Sequence, residues 1–214
     1  SCFLLTDSED HVTFPFAKHY KLIGEGDTGL NTGGMGPESP VPFNDPAFKQ
    51  KINDRIITPT MKGLTKDKLD FIGFVFIGLI RVGDDPFVIE YNVRMGDPET
   101  QVVLPRIQND MAELLLATGE KRLHEVTLHI SPQAAATVVG VAGGYPEAYE
   151  KGKAISGLTG DGLIFQAGTT KVDDQIVTHG GRVLASTGFG ADVQEALTEA
   201  YSNLSNISFE GMYF

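Results

Sequence analysis

The stretch VIEYNVRMGDPETQ, residues 88–101, begins like a strand bound for a core and yet carries a carboxylate, a carboxamide and a guanidinium. Side chains alternate between the faces of a strand, so Val88, Glu90, Asn92 and Arg94 share one face while Ile89, Tyr91 and Val93 share the other. Successive polar heads then stand roughly 6.5–7 Å apart. An unpaired buried charge costs several kcal/mol, so such a row persists only against a cleft, a metal, a ligand or compensating charges. Glu90 and Asn92 offer hard oxygens of the kind Mg²⁺ takes, and Mg²⁺ commonly keeps one or two protein ligands beside substrate phosphates and water. Arg94 has the planar fork that grips a phosphate or carboxylate in two places. Taken alone, E-x-N-x-R is more often a plain Glu–Arg pair on the solvated face of an antiparallel sheet, and that alternative stays open at this point.

The residues just beyond the strand shift the balance. Gly96-Asp97-Pro98 turns the chain sharply into an expected helix whose first turn holds Glu99 and Thr100. The N–H groups of that turn and the positive end of the helix dipole suit an anion beside the polar row. Asp97 by itself reads more simply as a helix cap. Upstream, GDTGLNTGGMG places five glycines between Gly26 and Gly36, with three prolines following between Pro37 and Pro42. That composition reads as a long loop without regular structure. Glycine lets backbone N–H groups approach a phosphate closely, and Asp27, Asn31 and Thr32 add polar partners. The run is no Walker loop, since Gly36-Pro37 stands where Gly-Lys-Ser/Thr would be, nor does it show G-x-G-x-x-G between a strand and a helix. A flexible connector and a ligand cradle both fit it.

Around these motifs the pattern is mixed. SCFLLTDSEDHVTFPF reads as two strands joined by an acidic turn. A helix follows, capped by Asn44 or Asp45, with Pro46 in its first turn, Phe48, Ile52 and Ile56 on one face, a kink near Pro59 and an end at Gly63. DFIGFVFIGLIRV and PFVIEYNVRM read as adjacent antiparallel strands joined at GDD. A second helix is expected from about Glu99 to Thr118, with Val103, Ile107, Met111 and Leu114 buried and Gly119 at its end. The polar, Pro132-containing segment EKRLHEVTLHISPQ suggests a domain boundary close to residue 128. Beyond it come strands at AATVVGVAG, LIFQAGTT and RVLASTGFG. A last amphipathic helix is expected to be capped by Asp192 with Glu195 and buried through Val193, Ala196, Leu197, Ala200, Tyr201 and Leu204.

The 214 residues, 41% hydrophobic, are enough for one large or two small units with a real core. A net charge of −11 without a dense basic run argues against nucleic acid. The longest apolar run, Phe71 to Ile80, is short of the ~20 residues of a membrane helix, and no secretion signal opens the chain. A single cysteine, Cys2, excludes an intrachain disulfide and fits a reducing, cytoplasmic setting. The chain starts at Ser1 directly in a strand and therefore reads as a fragment with an N-terminal part missing.

Together, GEGDTGLNTGGMGPESP and VIEYNVRMGDPETQ resemble the phosphoribosylamine–glycine ligase (glycinamide ribonucleotide synthetase) family of the ATP-grasp superfamily. GGYPEAYEKG, FQAGTT and THGGRVLASTGFG look like that family's C-terminal domain, so the resemblance spans nearly the whole chain. It implies an α+β fold: the C-terminal part of an ATP-grasp domain over residues 1–128, an antiparallel sheet with flanking helices, followed by a small α/β domain over 129–214. It implies joining of glycine to 5-phosphoribosylamine at the expense of ATP through glycyl phosphate, with Mg²⁺ or Mn²⁺ as cofactor. By the resemblance Glu90 and Asn92 are the metal pair and Arg94 steadies the transferred phosphate. Lys21, Asp27, Asn31, Thr32, Gly33, Gly34, Met35, Asp97, Pro98, Glu99 and Thr100 border the substrate sites.

The chain departs from the family pattern in places. His19-Tyr20-Lys21-Leu22 stands for Asp-His-Lys-Arg, Pro37 replaces the usual Ala, and FIGFVFIGLIRV carries no acidic metal ligand. The adenine contacts and a phosphate-binding lysine would lie upstream, so the fragment alone is expected to be inactive. Another ATP-grasp carboxylate–amine ligase and a non-catalytic binding module are the alternatives.

Overall fold

A computed structural model describes residues 1–42 and 45–214, which form two compact units built from interleaved segments. The first comprises Ser1–Ala17, Pro40–Gly96 and Ile107–Ser131, and the second Lys18–Ser39, Asp97–Arg106 and Pro132–Phe214. The expected single cut near residue 128 lies close to the last crossing, after Ser131; two earlier segments also belong with the later unit because they pair and pack there.

In the first unit, β1 (Cys2–Thr6) and β2 (His11–Thr13) form the expected hairpin, and β1 also pairs with β5 (Gly73–Val82), itself paired with β6 (Asp85–Asn92). The antiparallel order is β2-β1-β5-β6. One face carries Cys2, Leu4, Val75 and Ile77 against Phe48, Ile52, Ile56 and Ile57 of the helical segment. That segment is α1 (Pro46–Ile52), a π-helical turn Asn53–Ile57 and α2 (Thr58–Lys66). The irregularity expected at Pro59 takes the form of this π turn. The helix runs through Gly63 to Lys66, since a glycine only weakens an interior position. Asp45 caps α1 by accepting the Phe48 N–H at 2.7 Å, and the alternative cap Asn44 lies outside the described residues. Phe3 stacks on Phe76 on the other face, with centroids 5.0 Å apart.

The second unit holds a five-stranded antiparallel sheet in the order β3-β4-β7-β11-β8, from β3 (Lys18–Gly24), β4 (Thr28–Ser39), β7 (Ala134–Val141), β8 (Leu163–Gln166) and β11 (Arg182–Gly190). A hairpin of β9 (Thr169–Val172) and β10 (Gln175–Thr178) lies outside it; β10 went unread in the sequence. α5 (Val193–Ser205) is capped as expected, the Asp192 carboxylate accepting the Glu195 N–H at 2.9 Å. It buries Ala196, Ala200 and Leu204, but Tyr201 is exposed.

Two further expectations are overturned here. The glycine-rich run is strand β4, since hairpin pairing with β3 overrides the local preference of glycine. The single helix from Glu99 to Thr118 is instead α3 (Thr100–Val103), a 3₁₀ turn Leu104–Arg106, and α4 (Met111–Gly119). Pro105 lacks the N–H a continuing helix needs, and Asp110 starts afresh by accepting the Ala112 and Glu113 N–H groups at 2.8 and 3.1 Å. Among the described residues no helix is long and apolar enough to cross a membrane.

Candidate active site

The polar row belongs to the first unit. β6 is an edge strand, and its apolar residues Phe87 and Ile89 are open, 53% and 64% exposed. The expectation of a core strand therefore fails, because nothing in the described chain pairs with its outer edge. Pairing passes from Gly78–Glu90 to Leu79–Val88, so Ile89 is an extra residue that breaks the alternation and takes Val88 out of the row. Beyond this bulge pairing is regular, Gly78 with Glu90 and Phe76 with Asn92, so Glu90 and Asn92 do share a face. Gly78 makes room for the carboxylate arm; a Cβ there would stand 2.9 Å from Glu90 Cγ.

Arg94 lies past the end of the strand, which stops at Asn92. Its guanidinium folds back, donating to the Met95 carbonyl at 2.9 Å and the Asn92 Oδ1 at 3.4 Å. Among the described residues the buried Asn92 Nδ2 has no hydrogen-bond partner. Glu90 is exposed. Among the described residues no group of three or more His, Cys, Asp or Glu side chains is placed to hold a metal. Two oxygens on one face match only a cation that brings its other ligands with it.

The remaining expected residues belong to the second unit, and the register explains how they gather. β3 advances two residues, Tyr20 to Leu22, while β4 advances five, Gly36 to Asn31, so Thr32, Gly33, Gly34 and Met35 bulge out opposite Lys21. The Thr32 hydroxyl staples this excursion, donating to the Lys21 carbonyl at 2.7 Å and accepting the Gly34 N–H at 3.0 Å. Met35 packs on Val139, Val141 and Ala185 as an apolar anchor. Gly36 returns the strand to the sheet, where a Cβ would stand 2.1 Å from the Thr137 carbonyl oxygen. Asp27 sits instead in the hairpin turn, with φ of 62°, and Asn31 is exposed at the edge of the excursion.

The Asp97–Thr100 turn meets this excursion. A Cβ on Gly34 would stand 2.6 Å from Pro98 Cδ, and the Asp97–Pro98 peptide is cis. Glu99 is 2% exposed and its Oε1 lies 2.7 Å from His19 Nδ1. His19 therefore occupies the departure from the family pattern with a partner of its own, while Tyr20 faces the other side and donates its hydroxyl to Glu38 at 3.2 Å. Burial lifts the Glu38 carboxyl above its ordinary value, against the opposing pull of Lys18 and Tyr20. The anion site expected from a long helix dipole shrinks to one turn, because α3 is four residues long.

Arg182 was missed by the sequence reading, and it closes this corner. Its Nη1 lies 3.2, 3.5 and 3.3 Å from the Gly33, Gly34 and Asp97 carbonyl oxygens, and its Nη2 lies 3.3 Å from Asp97 Oδ2. The Tyr145 hydroxyl accepts the Gly33 N–H at 3.1 Å. Both residues are far away in sequence, and no local signal in GGYP or GGRV announces them.

Residues 1–100 match the model of the phosphoribosylglycinamide synthetase ATP-grasp (A) domain, and residues 135–214 that of the phosphoribosylglycinamide synthetase C domain. The chain belongs to the phosphoribosylglycinamide synthetase family. Phosphoribosylamine–glycine ligase of Chlorobaculum tepidum is 43% identical over 219 residues, all of this chain and 51% of that protein. The bifunctional purine biosynthetic protein PUR2,5 of Pichia angusta is 44% identical over the whole chain, which covers 28% of it. The crystal structure of phosphoribosylamine–glycine ligase from Thermotoga maritima superposes with a TM-score of 0.88 at 37% identity, over 99% of this chain and 53% of that one. The chain thus spans about half the length of its bacterial relatives. The α+β ATP-grasp expectation is borne out by the family match and by the antiparallel sheets of the structure.

Proposed function

We propose that this chain forms part of an ATP-dependent ligase that joins glycine to 5-phosphoribosylamine, giving glycinamide ribonucleotide, ADP and phosphate, in the cytoplasm. The observation that supports the chemistry is the pair of hard oxygens, Glu90 and Asn92, regularly spaced beyond the Ile89 bulge on one open face with Arg94 tied to Asn92. In this reading the glycine carboxylate attacks the terminal phosphate of ATP to give glycyl phosphate and ADP. The amine of phosphoribosylamine then attacks the glycyl carbonyl and expels phosphate. Little covalent work falls to the protein, so its residues act by positioning and charge neutralisation.

The Glu90 carboxylate and the Asn92 carbonyl oxygen would hold Mg²⁺ or Mn²⁺, leaving the remaining coordination positions to phosphate and water. Bound there, the cation would neutralise charge on the transferring phosphate. Arg94 keeps its guanidinium beside Asn92 and offers a second positive group to that phosphate. The glycine excursion Thr32–Met35 and the Asp97–Thr100 turn, packed on each other, border the sites for glycine and phosphoribosylamine, with Lys21, Asp27 and Asn31 around them.

Steady-state release of ADP by the full-length ligase tests this reading. Turnover should require ATP, glycine and phosphoribosylamine together. Glu90→Gln should lower kcat by about 10²–10³ and raise the Mg²⁺ concentration needed for half-maximal rate, since a metal interaction is worth several kcal/mol. Wild-type turnover in Glu90→Gln, or ADP release indifferent to glycine, would overturn it.

A further inference from the structure

We propose that Arg182 is a positioning residue that sets the spacing between the glycine excursion and the Asp97 turn, and so tunes recognition of phosphoribosylamine and glycine; this rests on the reading above. The guanidinium touches two segments whose sequence positions lie 149 and 85 residues away from its own. Its two terminal nitrogens reach three main-chain carbonyls and one carboxylate oxygen, and the side chain is only 22% exposed. Main-chain carbonyls accept from a guanidinium without providing charge balance; among the described residues Asp97 supplies the counter-charge. The arrangement therefore fixes backbone rather than making a simple ion pair.

A Cβ at position 33 would lie 2.9 Å from Arg182 Cζ and 3.0 Å from its Nε, so a side chain there would push the guanidinium aside. The neighbouring Gly34 is closed from the other side by Pro98. Arginine, glycine pair and Asp-Pro turn are thus mutually fitted, and moving one displaces the others. Lysine offers a point charge at this place and not a planar fork, so it can satisfy Asp97 or a glycine carbonyl but not both segments together.

Steady-state kinetics of the full-length ligase with Arg182→Lys, joined to amide hydrogen exchange at Gly33 and Gly34, tests the assignment. The KM for phosphoribosylamine or glycine should rise about tenfold or more, while the KM for ATP stays within about twofold, because the lost interaction orders one substrate region only. Exchange at Gly33 and Gly34 should quicken about tenfold as their hydrogen bonds to Tyr145 and Thr32 loosen. Gly33→Ala, which drives the same contact apart from the opposite side, should reproduce the KM pattern and gives a second route if Arg182→Lys fails to fold.

Unchanged exchange, or equal weakening of all three substrates, would overturn the positioning role. A wild-type enzyme without glycine-dependent turnover would instead count against the functional reading, and the exchange measurement would still decide the contact.

Discussion

Asp7 lies fully buried at the end of β1, and its carboxylate is a junction for three main-chain donors. Oδ1 accepts the Glu9 and Asp10 N–H groups at 3.0 and 2.7 Å, and Oδ2 accepts the Leu123 N–H at 3.0 Å. Burial alone would raise this carboxyl, but the donations from Asp10, Leu123 and Glu9 outweigh it and hold it below its ordinary value. A group depressed in the folded state contributes its stability in full above the unfolded value, about 3.9, and loses it as pH falls through the lower folded value. Asp7→Asn turns an amide N–H toward the Leu123 N–H, so urea unfolding at pH 7 should show a loss of about 1–3 kcal/mol. The gap from wild type should narrow below about pH 4, where Asp7 of the unfolded wild-type chain takes up its proton before the folded carboxylate does. A gap independent of pH would contradict the charge-based account. Cys2 makes the opposite case: burial pushes its thiol up to about 12, so it behaves as a small core hydrophobe.

At the scale of elements, the glycines of β4 and its hairpin turn separate two explanations that look alike in the sequence. Their number suggested backbone laid bare for a phosphate, but Gly36 is needed because β4 and β7 approach too closely for any side chain. Gly26 is needed only for its φ of 68°, since a Cβ there would meet nothing within 4 Å. Gly36→Ala should therefore destabilise by about 2–4 kcal/mol through forced separation of strands. Gly26→Ala should lose only about 1–2 kcal/mol, the cost of the left-handed conformation. Thermal and urea unfolding of both variants measure the difference, and equal losses would refute it.

The same strand marks the limit of what the sequence could reveal. Alternation gave the β5–β6 pair and the shared face of Glu90 and Asn92, because those depend on neighbours along the chain. The Ile89 bulge, the Thr32–Met35 excursion and the break of the helix at Pro105 depend on register and competing caps, which local pattern leaves open. Arg182 and Tyr145 are legible only once distant segments have been brought into contact.

At the scale of the whole molecule, the second unit is assembled from three stretches of chain, so a fragment cut at the last crossing should not fold as a domain. β7 is buried along its entire length, yet its neighbour β4 and the packing residues Val102 and Val103 come from earlier segments. Arg106 donates to the Ser39 hydroxyl at 2.6 Å, and the Thr187 hydroxyl donates to the Gln101 carbonyl at 3.0 Å. These contacts join the same three stretches. Removing residues 1–131 therefore strips one flank of β7 and uncovers an apolar surface that a marginal domain cannot expose. Residues 132–214 expressed alone should lack a cooperative thermal transition by circular dichroism and should associate on size-exclusion chromatography. Co-expression with residues 1–131 should restore a cooperative melt, because the break at Ser131–Pro132 severs only a connection and no element. A sharp melt of the isolated 132–214 fragment, within about 5 °C of the joined chain, would mean that β4 and α3 are accessories to an independent domain, since such a shift corresponds to roughly 1 kcal/mol.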